Sequence, residues 1–162
     1  MKILVVDDNR SLASVLQMML EDEGYEVKAA RDGRDGYSAY LSFKPDVVIT
    51  DIQMPERNGM ELMEYIRIHN PTVGTIYMSG NLRQYRSFLE EERQKFQVGL
   101  LEKPFSRVEL MGLISKLAAA SPKSIRGEDK EVQEDRKKVV NVEDQEQVDV
   151  DFPFSAGGMA SA

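Results

Sequence analysis

The residues of this sequence best suited to chemistry are three aspartates, a serine and a lysine, each beside the end of a short apolar run. Asp7 and Asp8 follow Ile3-Leu4-Val5-Val6, and Asp51 follows Val47-Val48-Ile49-Thr50. Ser79-Gly80 closes a run ending at Met78, and Lys103-Pro104 comes just after Gly99-Leu100-Leu101. If these runs are strands of one parallel sheet, the five side chains gather at its carboxyl edge, where open α/β sheets bind ligands. Crowded carboxylates raise one another's pKa unless a cation intervenes. Mg²⁺ suits that place, because it takes oxygen ligands and keeps waters that a phosphoryl group can replace. Lys103 and the Ser79 hydroxyl would steady the remaining phosphoryl oxygens. Asp51 would be the nucleophile, attacking phosphorus in line.

Each piece alone has a plainer explanation. An acidic pair at a strand end is commonly a solvated turn, Ser-Gly is a turn, and a lone Asp after a β run is a turn or cap residue. The order of the pieces, their strand-end placement and their spacing together carry the reading.

The elements that must position them follow from periodicity. Lys2–Val6 is a continuous apolar run, as a strand buried on both faces requires. Residues 10–23 carry Leu12, Val15, Leu16, Met19 and Leu20 at helical spacing, and Gly24 stops them. Val27–Ala30 is a second strand, and residues 34–43 form a helix weakened by Gly36 and closed by Pro45. Residues 46–50 form a third buried strand, ending at Asp51. Helices are expected over 59–69 and 83–96, and strands over 72–78 and 99–101. Ser106 caps a last helix, with Glu109 as its capping-box partner. This fivefold βα alternation predicts an α/β fold, a doubly wound five-stranded parallel sheet with helices on both faces.

Composition sets the limits. There is no cysteine, which excludes disulfide scaffolds, thiolate metal sites and Cys nucleophiles. No apolar stretch reaches the length of a membrane span, and the start turns acidic too soon for a signal peptide, so a cytoplasmic protein without membrane contact is expected. A net charge of -7 argues against direct nucleic-acid binding. Residues 121–162 hold 6 Lys/Arg against 10 Asp/Glu and few large apolar residues. The chain is therefore divided into a domain over 1–120 and an acidic, mostly disordered tail over 121–162. Within that tail Val148, Val150, Phe152 and Phe154 alternate with Asp149, Asp151 and Pro153, a spacing that fits addition to a sheet edge or a partner's groove. The plainer view is an acidic tail with incidental apolar residues.

Residues 1–120 resemble the receiver domain of bacterial response regulators, chiefly the stand-alone, chemotaxis-regulator-like kind. The resemblance lies in Ile3-Leu4-Val5-Val6-Asp7-Asp8, in Pro45-Asp46-Val47-Val48-Ile49-Thr50-Asp51-Ile52-Gln53-Met54-Pro55 with Gly59, in Met78-Ser79-Gly80 and in Lys103-Pro104-Phe105. It implies the flavodoxin-like strand order 2-1-3-4-5. It implies that Asp51 is phosphorylated by a histidine kinase or phosphotransfer protein. Asp7, Asp8, Asp51 and the Gln53 backbone carbonyl would hold Mg²⁺, and Ser79 and Lys103 would contact the phosphoryl group. The Lys103–Pro104 bond is expected to be cis. Such a protein signals by changed binding to a downstream protein, as a monomer or a phosphorylation-induced dimer. It is not an enzyme beyond catalysing its own phosphorylation and dephosphorylation.

The sequence departs from the family pattern at Leu100, three residues before Lys103, where similar proteins carry Tyr or Phe. By the same resemblance Ser79, Leu100 and Pro104 would be the switch and output positions, and the loss of the aromatic implies a muted or differently routed output. Two rivals follow. A phosphorylation-independent scaffold would keep the fold and bind partners constitutively. An aspartate-nucleophile phosphatase needs a second acid two residues after Asp51, where Gln53 stands. His69, at a helix end, reads as a surface residue rather than a phosphohistidine. Met18, Met19, Met60 and Met63 read as core packing, and Glu90-Glu91-Glu92-Arg93 as a solvated helix face.

Overall fold

The computed structural model describes residues 1–55 and 57–120. Five parallel strands, β1 (Lys2–Val6), β2 (Glu26–Ala30), β3 (Val47–Asp51), β4 (Gly74–Ser79) and β5 (Val98–Glu102), lie in the order β2-β1-β3-β4-β5. Five helices alternate with them: α1 (Arg10–Asp22), α2 (Gly33–Phe43), α3 (Gly59–His69), α4 (Arg86–Lys95) and α5 (Arg107–Ala120). The fold is the expected flavodoxin-like one.

Strand alternation divides the core in two. Leu4, Val6, Val48 and Tyr77 face a layer that includes Leu62, Met63 and Ile66 of α3 and Leu89 of α4. Ile3, Val5, Ile49 and Ile76 face Leu16 and Leu20 of α1 and Leu110 and Ile114 of α5. Because β1, β3 and β4 are covered on both faces, each carries a continuous apolar stretch: Ile3–Val6, Val47–Ile49 and Ile76–Met78. The strand order reverses between β1 and β3, which opens a crevice above their carboxyl ends. Val6 is level with Thr50, Asp51 with Met78, and Ser79 with Glu102. The register alone therefore brings the five expected side chains to one rim.

Several local expectations shift for identifiable reasons. The fourth strand begins at Gly74 rather than Thr72, because the Asn70 side chain accepts from the Thr72 N–H at 3.2 Å and its hydroxyl at 2.8 Å, holding a turn. The single helix expected over 83–96 is a 3₁₀ turn at Leu82–Tyr85 followed by α4. The tighter winding aligns residues three apart, and Leu82 and Tyr85 both pack against the core. Gly36 is less a weakness than a fit: a Cβ there would lie 3.1 Å from the Leu62 and Val6 side chains. Met18 and Val15 are corrections. They are 66% and 60% exposed and lie outside the core stripe of α1, whereas Met63 is fully buried. His69 is exposed in the last turn of α3, as expected.

Glu92 is a further correction. Glu90, Glu91 and Arg93 are exposed, but Glu92 turns inward from α4 toward Arg67 and Tyr77. The tail expected over 121–162, with its alternating segment Val148–Phe154, lies outside the described residues.

Candidate functional site

Three carboxylates converge at the crevice. Asp7 and Asp8 follow β1 and Asp51 ends β3, and carboxylate oxygens of all three lie within 4.8 Å of one another. Asp7 and Asp51 are buried and Asp8 is exposed. Asp7 Oδ1 accepts the Asn9 N–H at 2.8 Å, which fixes its rotamer at the entrance to α1. The Asn9 side chain in turn caps that helix by accepting from the Leu12 N–H.

Lys103 supplies the cation. Its Nζ lies 2.8 Å from Asp7 Oδ2 and 3.3 Å from Asp51 Oδ2. Burial pushes its pKa down, but the hydrogen bond and charge of Asp7, with the charge of Asp51, outweigh that and hold it above its ordinary value. Asp51 is held above the usual carboxylate range, first by burial and also by Asp7, against the opposing pull of Lys103. One ammonium among three carboxylates leaves an excess of negative charge in a partly desolvated place. An all-oxygen donor set with excess charge fits a hard divalent cation such as Mg²⁺.

Ser79 is fully buried at the end of β4, one residue beyond the partner of Asp51 in register. Its Oγ accepts the Asn81 N–H at 3.1 Å, which leaves its own proton available as a donor. The Lys103 N–H donates to the Ser79 carbonyl at 2.8 Å and so ties the ends of β4 and β5 together. The Gln53 N–H lies 3.4 Å from Asp51 Oδ1. Leu100 is half-buried on β5, level with Tyr77, and is not part of the charged cluster. Pro104 is exposed, and the Lys103–Pro104 bond is cis.

Two further features lie near these elements, one at Gly59, already part of the motif that carries the resemblance, and one at Arg67, which helical periodicity barely marks. Gly59 starts α3 directly against the Asp51 backbone: a Cβ there would lie 2.2 Å from the Asp51 carbonyl oxygen and 2.6 Å from Thr50 Oγ1. The Thr50 hydroxyl donates to that same carbonyl at 3.0 Å. A second polar cluster joins α3, α4 and β4. Arg67 of α3 pairs with Glu92 of α4, donates to Thr75 Oγ1 at 3.0 Å and lies over the Phe96 ring at 3.9 Å. The Tyr77 hydroxyl donates to Glu92 Oε2 at 2.8 Å. Burial pushes the Tyr77 phenol up and the Arg67 guanidinium down. Arg67 falls four residues after the buried Met63, on the apolar stripe of its helix, and this was the one available sign.

Residues 3–115 match the response regulator receiver domain family, and the chain belongs to that family. It is similar to chemotaxis protein CheY4 of Vibrio cholerae, with 27% identity and a TM-score of 0.65 over 72% of this chain and 97% of that one. It is also similar to response regulator TrrA of Thermotoga maritima, solved in complex with Mg²⁺-BeF, with 32% identity and a TM-score of 0.63 over the same shares. A third similarity is to NtrX of Brucella abortus, at 25% identity and a TM-score of 0.67, covering 76% of this chain and 28% of that one. Receiver domains accept phosphoryl groups on an aspartate within two-component systems, and they interact with kinases or phosphotransfer proteins and with downstream effectors. Among the described residues no helix is long and apolar enough to cross a membrane.

Proposed function

We propose that Asp51 accepts a phosphoryl group from a histidine kinase or phosphotransfer protein, and that the resulting change of surface alters binding to a downstream protein. The observation that carries this is the Asp51 carboxylate held among Asp7, Asp8 and the Lys103 ammonium. Asp7, Asp8, Asp51 and the Gln53 carbonyl would hold Mg²⁺, which when bound neutralises phosphoryl oxygens. One Asp51 oxygen forms the bond to phosphorus as the donor's P–N bond breaks and the imidazole leaves. Lys103 pairs with a phosphoryl oxygen in exchange for part of its contact with Asp51. Ser79 donates its free hydroxyl proton to another. The charge change is small, about one unit, because the acyl phosphate replaces an existing carboxylate. Geometry changes more, through new acceptors beside Ser79 and Lys103. Gln53 has no acid/base function, which weighs against the phosphatase reading.

The test is intact mass after incubation with Mg²⁺ and acetyl phosphate. A single phosphoryl adduct that needs Mg²⁺ and is lost in Asp51→Asn is expected. No adduct, with beryllofluoride also failing to bind, would overturn the reading in favour of a constitutive scaffold.

A further inference from the structure

The helix that follows Ser79 is held unevenly. Its entrance, the 3₁₀ turn Leu82–Tyr85, has no buried residue, and neither Asn81 nor Tyr85 offers a capping side chain. The Asn81 N–H bond to Ser79 Oγ ties this entrance to the site. Short 3₁₀ stretches next to a helix are common places for a hinge. The far half of α4 is anchored differently. Leu89 is its one buried apolar residue, and Glu92, a turn further on, joins Arg67 of α3 and Tyr77 of β4. The Phe96 N–H donates to the Glu92 carbonyl at 2.8 Å, and the Phe96 ring lies over the guanidinium, so the helix end closes over the same cluster.

A Ser79 hydroxyl drawn to a phosphoryl group pulls on the Asn81 N–H that it accepts, and the disturbance enters the chain at that residue. Tilting α4 as a rigid rod would pull Glu92 off the buried Arg67 and leave its guanidinium without its anion. Breaking a buried pair is among the costlier single changes in a protein. Bending at the uncapped turn breaks no such contact. We propose that the Arg67–Glu92–Tyr77 cluster is a pivot that keeps the C-terminal half of α4 seated while phosphorylation of Asp51 moves residues 81–86. This rests on the proposed role of Asp51. It also gives the Leu100 departure a physical meaning. Leu82 and Leu100 pack against the same core layer. The moving surface is then Leu82, Arg83 and Arg86, with no aromatic side chain on β5 taking part.

Amide hydrogen exchange on the full chain, with Mg²⁺ alone and with Mg²⁺ and beryllofluoride, tests the pivot. In the native chain beryllofluoride is expected to change exchange at least fivefold over 80–86 and less than twofold over 88–95. In Glu92→Gln, which removes the ion pair, the change should spread through 88–95. An even change across 81–95 in the native chain, or a change that stays confined to 80–86 in the variants, would overturn the pivot. Should Glu92→Gln fail to fold, Arg67→Met combined with Glu92→Gln decides in its place, since it removes the pair without leaving a lone buried charge. Beryllofluoride binding is read separately by fluorine NMR. Its failure would overturn the function proposed for Asp51 and the pivot with it, whereas binding with an even change overturns only the pivot.

Discussion

Glu92→Gln is the perturbation whose magnitude the structure constrains most closely. The Arg67 side chain is 5% exposed and the Glu92 side chain 13%. A glutamine keeps the shape and still accepts the Tyr77 hydrogen bond, so the loss is chiefly the charge. Two unit charges about 4 Å apart attract by about 4 kcal/mol at an effective dielectric constant near 20. Removing one partner of a buried pair costs about 3–5 kcal/mol by experience with other proteins. The two figures agree, and they amount to a large share of the roughly 5–15 kcal/mol that holds a domain folded. Urea unfolding followed by circular dichroism should show this loss. Arg67→Met combined with Glu92→Gln should recover much of it, because replacing a whole buried pair by apolar or neutral groups is often close to neutral. Added salt should change the native chain's stability little, since a buried pair is poorly screened. A loss below about 1 kcal/mol for Glu92→Gln, or a double variant no better than the single one, would refute the claim that Arg67 depends on this carboxylate.

Two further predictions follow from particular contacts. Gly59→Ala places a Cβ against the Asp51 carbonyl, so the start of α3 must shift; a loss of about 1–3 kcal/mol in urea unfolding is expected, as for overpacking in general, together with slower adduct formation at Asp51. The Glu109 carboxyl is held below its ordinary value first by the Ser106 N–H and then by the Ser106 hydroxyl. Its contribution to stability is therefore present above the unfolded pKa and lost as pH falls through the folded one. Ser106→Ala removes the hydroxyl, so carbon-detected NMR titration of Glu109 should move upward toward the ordinary value, and no movement would show that the hydroxyl plays no part.

Most of the architecture was legible because its causes are local. The runs Ile3–Val6 and Val47–Ile49 are apolar throughout, as strands covered on both faces require. The Ser106–Glu109 box marked the start of α5, and its reciprocal bonds at 2.7 Å and 3.2 Å are present. The site aspartates, Ser79 and Lys103 could be placed because a parallel sheet puts every strand end on one rim. Boundaries slipped where a side chain competed with the backbone, as Asn70 does at Thr72.

The amino-acid sequence by itself determined the alternation of strands and helices, the membership of the acidic cluster and the absence of thiol chemistry. Only the tertiary structure decided which charged residues of α3 and α4 turn inward. Arg67, between Ile66 and Ile68, and Glu92, between Glu91 and Arg93, are 25 positions apart, so nothing in either segment requires them to meet. They meet because α3 and α4 pack on the same face of the sheet, where Tyr77 and Thr75 of β4 offer the polar atoms that make a buried pair tolerable. Helical periodicity marks a face as apolar on average, while the fate of a single charge on that face depends on what another element places opposite it.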